Sequence, residues 1–96
     1  MSTMPDYTGW IVRAAAGRDK GGLFCVVGVD QEQKRLLLAD GRRRRTARPK
    51  AKDLNHVKLL TDGVGHPAIQ KLKQGAPLSD KALRRALAAF RDQLEV

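Results

Sequence analysis

A polar loop hinged by glycines, Gly17-Arg18-Asp19-Lys20-Gly21-Gly22, runs directly into the apolar stretch Leu23-Phe24-Cys25-Val26-Val27-Gly28-Val29. Ahead of it, Trp10-Ile11-Val12-Arg13-Ala14 shows the partial alternation of a strand. Two apolar segments separated by a short charged loop point to antiparallel β-structure, and such a loop can form the first corner of a small β-barrel. Gly17, Gly21 and Gly22 reach positive φ at little cost, so the chain can turn sharply there while Arg18 and Lys20 project outward.

The pattern continues downstream. Strands are expected over 9–15, 23–29 and 34–39, the last carrying Leu36, Leu37 and Leu38 in a row, with Asp30-Gln31-Glu32-Gln33 as a polar turn. Asp40-Gly41 signals a tight hairpin, because primed turns need positive φ. A fourth strand is therefore expected over 42–48, ended by Pro49, and a fifth over 54–60. The fourth is the awkward one. Alternation sends Arg42, Arg44 and Arg48 to one face and Arg43 and Arg45 to the other. Burying even one unpaired arginine costs several kcal/mol, so this segment is expected at an edge or as a ribbon lifted off the barrel. Charged edges also guard against strand-on-strand association, but one or two charges suffice for that. Four consecutive arginines point instead to contact with a polyanion.

The charge is local. Between Arg42 and Lys58 there are eight Lys/Arg and one acid, Asp53, a surplus of seven within a chain of net charge +9. After Thr61-Asp62-Gly63-Val64-Gly65, read as a flexible boundary, the period changes from two to about 3.6. A short helix is expected from His66-Pro67, stopped by Gly75 and Pro77. A second should be capped by Ser79, with Asp80 in its first turn, and run to Leu94. Leu83, Leu87, Phe90 and Leu94 form its apolar stripe, and Lys81, Arg84, Arg85 and Arg91 lie on another face. The stripe reads as core. Its alternative is an interaction helix that grips a partner or joins a phosphate contact. The organisation expected is thus a flexible lead-in over 1–8, a barrel over 9–60 and a helical appendage over 61–96.

No catalytic constellation emerges, and no enzyme is expected. Cys25, inside the apolar run, is expected to be a buried and inert thiol. One Cys with His56 and His66 matches no metal-ligand spacing, so no metal or other cofactor is expected. Gly17–Gly22 lacks the Lys-Ser/Thr ending of a P-loop. A lone cysteine suits a reducing compartment, no stretch approaches the ~20 apolar residues of a membrane span, and residues 1–7 lack the regions of a signal peptide. A cytoplasmic, soluble protein that does not bind membranes is the expectation. The surplus of arginine, which meets phosphate with planar bidentate geometry, favours nucleic acid. Trp10, Phe24 and Phe90 read as core, which leaves no stacking platform, and no recognition helix is apparent. Recognition of folded RNA by shape and backbone remains.

The segment from Gly9 to Val29, with Gly17 inside its alternation, resembles a KOW motif. The likeness continues through Asp40-Gly41-Arg42-Arg43-Arg44-Arg45, Pro49-Lys50-Ala51-Lys52 and Leu54-Asn55-His56-Val57. These blocks are similar to the KOW-type large-subunit ribosomal proteins of archaea and eukaryotes and to their small free-standing bacterial relatives. The resemblance covers roughly the first two-thirds of the chain. It implies a mainly β fold, a five-stranded SH3-like barrel, here followed by two C-terminal helices. It also implies non-catalytic binding of structured RNA, with large-subunit rRNA, the ribosome and ribosomal proteins as partners, in translation. The RNA contacts expected are Arg18, Lys20, Gly21, Arg42, Arg43, Arg44, Arg45, Arg48, Lys50 and Lys52, with Gly17 and Gly22 letting backbone approach phosphate. The alternatives are a transcription or RNA-processing accessory factor and a protein-interaction adaptor built on residues 79–94. Oligomeric state is left open.

Overall fold

The computed structural model describes residues 3–94; the first two residues of the expected lead-in and the last two of the chain lie outside the described residues. Five strands, β1 (Trp10–Ala14), β2 (Leu23–Asp30), β3 (Arg35–Ala39), β4 (Lys50–Asp53) and β5 (Val57–Asp62), form one antiparallel sheet in the order β4-β3-β2-β1-β5. Helices α1 (Pro67–Lys73) and α2 (Asp80–Leu94) follow. The two edge strands are consecutive in the chain, joined only by a 3-10 turn at Leu54–His56. Four inter-strand steps of about 4.8 Å would put the edges of a flat sheet ~19 Å apart. Three linking residues reach at most about 14 Å between strand ends. The sheet therefore curls, giving the barrel-like β domain with two C-terminal helices that the sequence predicts.

Two bulges assist the curl. Register shifts between Val26 and Gly28 against β3, and between Ile11 and Val12 against β5, leave Val27 and Leu60 as extra residues. Both pack on the helix side of the sheet.

Strand alternation sorts the apolar side chains into two cores. Val12, Ala14, Phe24, Val26, Leu36 and Leu38 pack inside the curl, with Met4. Ile11, Leu23, Cys25 and Ala39 face the other way, under Ile69 of α1 and Leu83, Ala86, Leu87 and Phe90 of α2. The α2 residues recur at i, i+3, i+4 and i+7, the spacing of one helix face. This explains the unbroken apolar run of β2: the strand is covered on both faces. The stripe of α2 is core, save for Leu94, which is 38% exposed.

The helix ends follow the chemistry expected. Pro67 opens α1, with His66 Nδ1 accepting from Ala68 N at 3.2 Å. Ser79 Oγ accepts from Ala82 N at 3.1 Å ahead of α2. Among the described residues no helix is long and apolar enough to cross a membrane.

Three sequence expectations are corrected. Residues 42–48 are not a strand; β4 is Lys50–Asp53, so Pro49 precedes a strand instead of ending one. The cause is local competition. Asp40 Oδ1 accepts from Arg42 N at 2.9 Å and Arg44 N at 3.0 Å, while Arg44 O accepts from both Asp40 N and Gly41 N. The backbone groups a ladder needs are taken up in a loop. The fifth strand begins three residues later than expected, because Leu54–His56 forms the 3-10 turn that closes the curl. It also runs on to Asp62, pairing Thr61 with Ile11 and Asp62 with Trp10, so the expected boundary at 61–65 begins inside the sheet. Gly63 N then donates to Gly9 O at 3.0 Å, an approach so close that a Cβ on Gly63 would lie 2.5 Å from that oxygen. At the other end, Met4 is buried, and its N–H and C=O both bond the Gln31 amide.

Candidate nucleic-acid interface

The β1–β2 loop, residues 15–22, folds back on itself: Lys20 N donates to Gly17 O, Gly22 N to Asp19 O and Gly21 N to Ala14 O. Arg13 Nη1 donates to Gly21 O at 2.8 Å from below. Gly17 and Gly21 take φ of +81° and +87°, the left-handed region that glycine enters cheaply. The outcome is that Arg18 and Lys20 are exposed while Asp19, between them, turns inward with only 10% of its side chain exposed.

Asp19 joins the two basic segments. Its Oδ2 accepts from Lys50 Nζ at 3.1 Å and from Arg44 Nη2 at 3.3 Å. Burial raises the Asp19 pKa, but the Lys50 hydrogen bond and the charges of Arg44 and Lys50 together outweigh it and hold the carboxyl below its ordinary range. Arg44 and Lys50 are each about one-third exposed. Partly solvated pairs of this kind contribute about 0–1 kcal/mol. Their consequence here is geometric, because they hold a loop from residues 15–22 against one from residues 40–49.

Lys52 corrects one expected contact. It is 8% exposed and donates to Ala16 O at 2.6 Å. Lys50 and Lys52, two apart in β4, share a face under alternation, and both reach the 15–22 loop. Lys52 serves as a strut beneath the basic surface and is not part of that surface.

The arginine loop is held by three carboxylates and one arginine. Asp40 organises its first turn, Asp19 takes Arg44, and Asp80 Oδ1, at the start of α2, accepts from Thr46 N at 2.8 Å. Arg84 Nη1 of α2 donates to Gly41 O at 2.8 Å. Gly41, at φ +80°, lies so close to α2 that a Cβ would sit 2.5 Å from Asp80 O. Held in this way, Arg42, Arg43, Arg45 and Arg48 remain exposed. Two like charges ~4 Å apart repel by about 1 kcal/mol even in water, so the cluster does nothing for stability.

Two depressions mark the face. Arg43, Arg44, Arg45, Ala47 and Arg48 line a cavity of about 330 Å³. Arg44 Nε is buried with no hydrogen-bond partner. A smaller cleft of about 170 Å³ lies between Arg42, Gly22 and the Arg84–Arg91 side of α2. The loop bearing Arg18, Lys20 and Gly21 is thus tied through Asp19 to Arg44 and Lys50. Arg43, Arg44, Arg45 and Arg48 share one cavity, Arg42 meets Arg84 and Arg91 at the smaller cleft, and Lys52 lies beneath. Sequence reading misses Asp19, Asp40 and Asp80 as organisers, since an acid in a basic stretch reads only as a subtraction from the charge. Asp40 alone carries a local signal, an Asx residue ahead of glycine.

Elsewhere the chemistry is quiet. Burial pushes the Cys25 thiol up to about 12. Among the described residues no group of three His, Cys, Asp or Glu side chains could hold a metal ion. No family model matches the chain, and no curated protein matches it either.

Proposed function

We propose that this protein binds structured RNA without catalysis, as a KOW-type ribosomal or ribosome-associated protein acting in translation, with large-subunit rRNA as its target. The observation that supports this reading is the junction at Asp19, which ties the loop carrying exposed Arg18 and Lys20 to Arg44 and Lys50, in the segment that carries exposed Arg42, Arg43, Arg45 and Arg48. A surface bearing several exposed arginines at fixed positions suits the phosphates of a folded backbone. Exposed Gly21, with open space around its Cα, lets a phosphate come close to the main chain. The adaptor alternative loses its main support, because Leu83, Leu87 and Phe90 are buried within the protein.

Sedimentation of a cell extract through sucrose gradients at low and high salt tests the proposal. Co-migration with the large subunit that survives high salt indicates an integral component, and co-migration that disappears with salt indicates a peripheral factor held by the arginine surface. Migration only at the top of both gradients contradicts a ribosomal target.

A further inference from the structure

We infer that the RNA recognised carries an unpaired nucleotide, whose base enters an apolar groove beside the arginine loop; the inference rests on the RNA-binding reading above. The groove, of about 340 Å³, is walled by Val27 and Leu37 of the sheet, Pro49 ahead of β4, and Leu72, Pro77 and Leu78 around the α1–α2 connection. Apart from Thr46, every side chain lining it is apolar. Its floor has a structural origin: Val27 is the bulged residue of β2, and Leu37 is the middle leucine of β3, facing away from the Leu36 and Leu38 core.

The neighbour of this groove decides its occupant. Ala47 lines both the groove and the cavity formed by Arg43, Arg44, Arg45 and Arg48. An apolar slot against a site for negative charge matches one nucleotide, a flat base attached to a phosphate. Arg44 lines that cationic cavity with about a third of its side chain exposed, beside the exposed Arg43, Arg45 and Arg48. The walls are anchored, since Thr46 N is bonded to Asp80 and Ala76 N to Lys71 O. A base paired and stacked within a helix cannot reach such a slot, so the base must come from a bulge, loop or mismatch.

The test uses the full chain and two RNA hairpins that differ only by a single-nucleotide bulge in one of them. The bulged hairpin should bind about tenfold tighter, ~1.4 kcal/mol. Ala76→Trp, which fills the groove from a residue that does not line the arginine cavity, should remove the preference and leave the salt dependence as it was. With 2-aminopurine at the bulge, fluorescence should change on adding the unaltered protein, a readout independent of whether the variant folds. Equal binding of both hairpins, or an unchanged 2-aminopurine signal on binding, overturns the inference and leaves the RNA reading standing. Failure of both hairpins to bind overturns the two together.

Discussion

The arginine loop over residues 40–49 and helix α2 meet through the bond from Arg84 to Gly41 O, yet the loop and the apolar stripe of that helix are held by opposite means. The stripe is fixed by burial: Leu83, Ala86, Leu87 and Phe90 are at most 7% exposed against the sheet. The loop is fixed by a handful of hydrogen bonds involving Asp19, Asp40, Asp80 and Arg84. Hydrophobic burial contributes ~1.5–3 kcal/mol per large side chain, whereas a net hydrogen bond contributes about 0.5–1.5 kcal/mol. Helix and sheet are therefore the part that must fold, and the loop is the part that can carry charge at small expense to stability. Breaking one should leave the other's property in place.

The largest separation is expected from Leu83→Ala, which opens a cavity in a fully buried site. Urea denaturation should show a drop of ~2–5 kcal/mol, with RNA affinity per folded molecule unchanged. Reversing Arg42, Arg43, Arg44 and Arg45 to glutamate should do the converse. Affinity should fall at least about a hundredfold near physiological salt, while the thermal midpoint moves by only a few degrees. Unchanged affinity would remove these arginines from the interface.

A sharper cut lies within the loop. Asp80→Ala frees Thr46 N and should lower stability by about 0.5–1.5 kcal/mol, with faster amide exchange at Thr46 than at residues of β2. Smallest of all is the response to acid at Asp19. Its folded pKa lies below the ordinary value, so its contribution is complete above pH ~3.9 and fades as pH falls through the lowered folded value. Side-chain NMR of Arg44 should report that release, and the drop in stability should not exceed about 1 kcal/mol. Release on raising the pH instead would contradict the pairing.

The contrast also explains what is legible in the sequence. Strands β1 to β3, the Pro67 start of α1, the Ser79 cap and the stripe follow from period and cap chemistry, which are local. The arginine loop reads as a strand because Asp40-Gly41 is a strong hairpin signal; the same pair also suits an Asx turn, and there the Asp40 carboxylate takes Arg42 N and Arg44 N instead. The charge of the site is visible in the arginine run, but its assembly is not. Asp19 meets Arg44 and Lys50 across 25 and 31 residues, and Asp80 meets Thr46 across 34. Such pairings depend on the curl of the sheet and leave no periodic trace. Lys52 escapes sequence reading for the same reason, since a lysine between two expected strands reads as solvated until the loop that covers it is in place.

The central claim, that one assembled arginine surface binds RNA through its phosphates, is tested most directly by affinity for a structured RNA across a salt series. The protein should show a steep linear fall of log K with log salt. The variant reversed at Arg42–Arg45 should show a shallower one, by roughly 0.7–0.9 for each phosphate it no longer neutralises. A slope near zero, or one identical in the two proteins, would contradict the account.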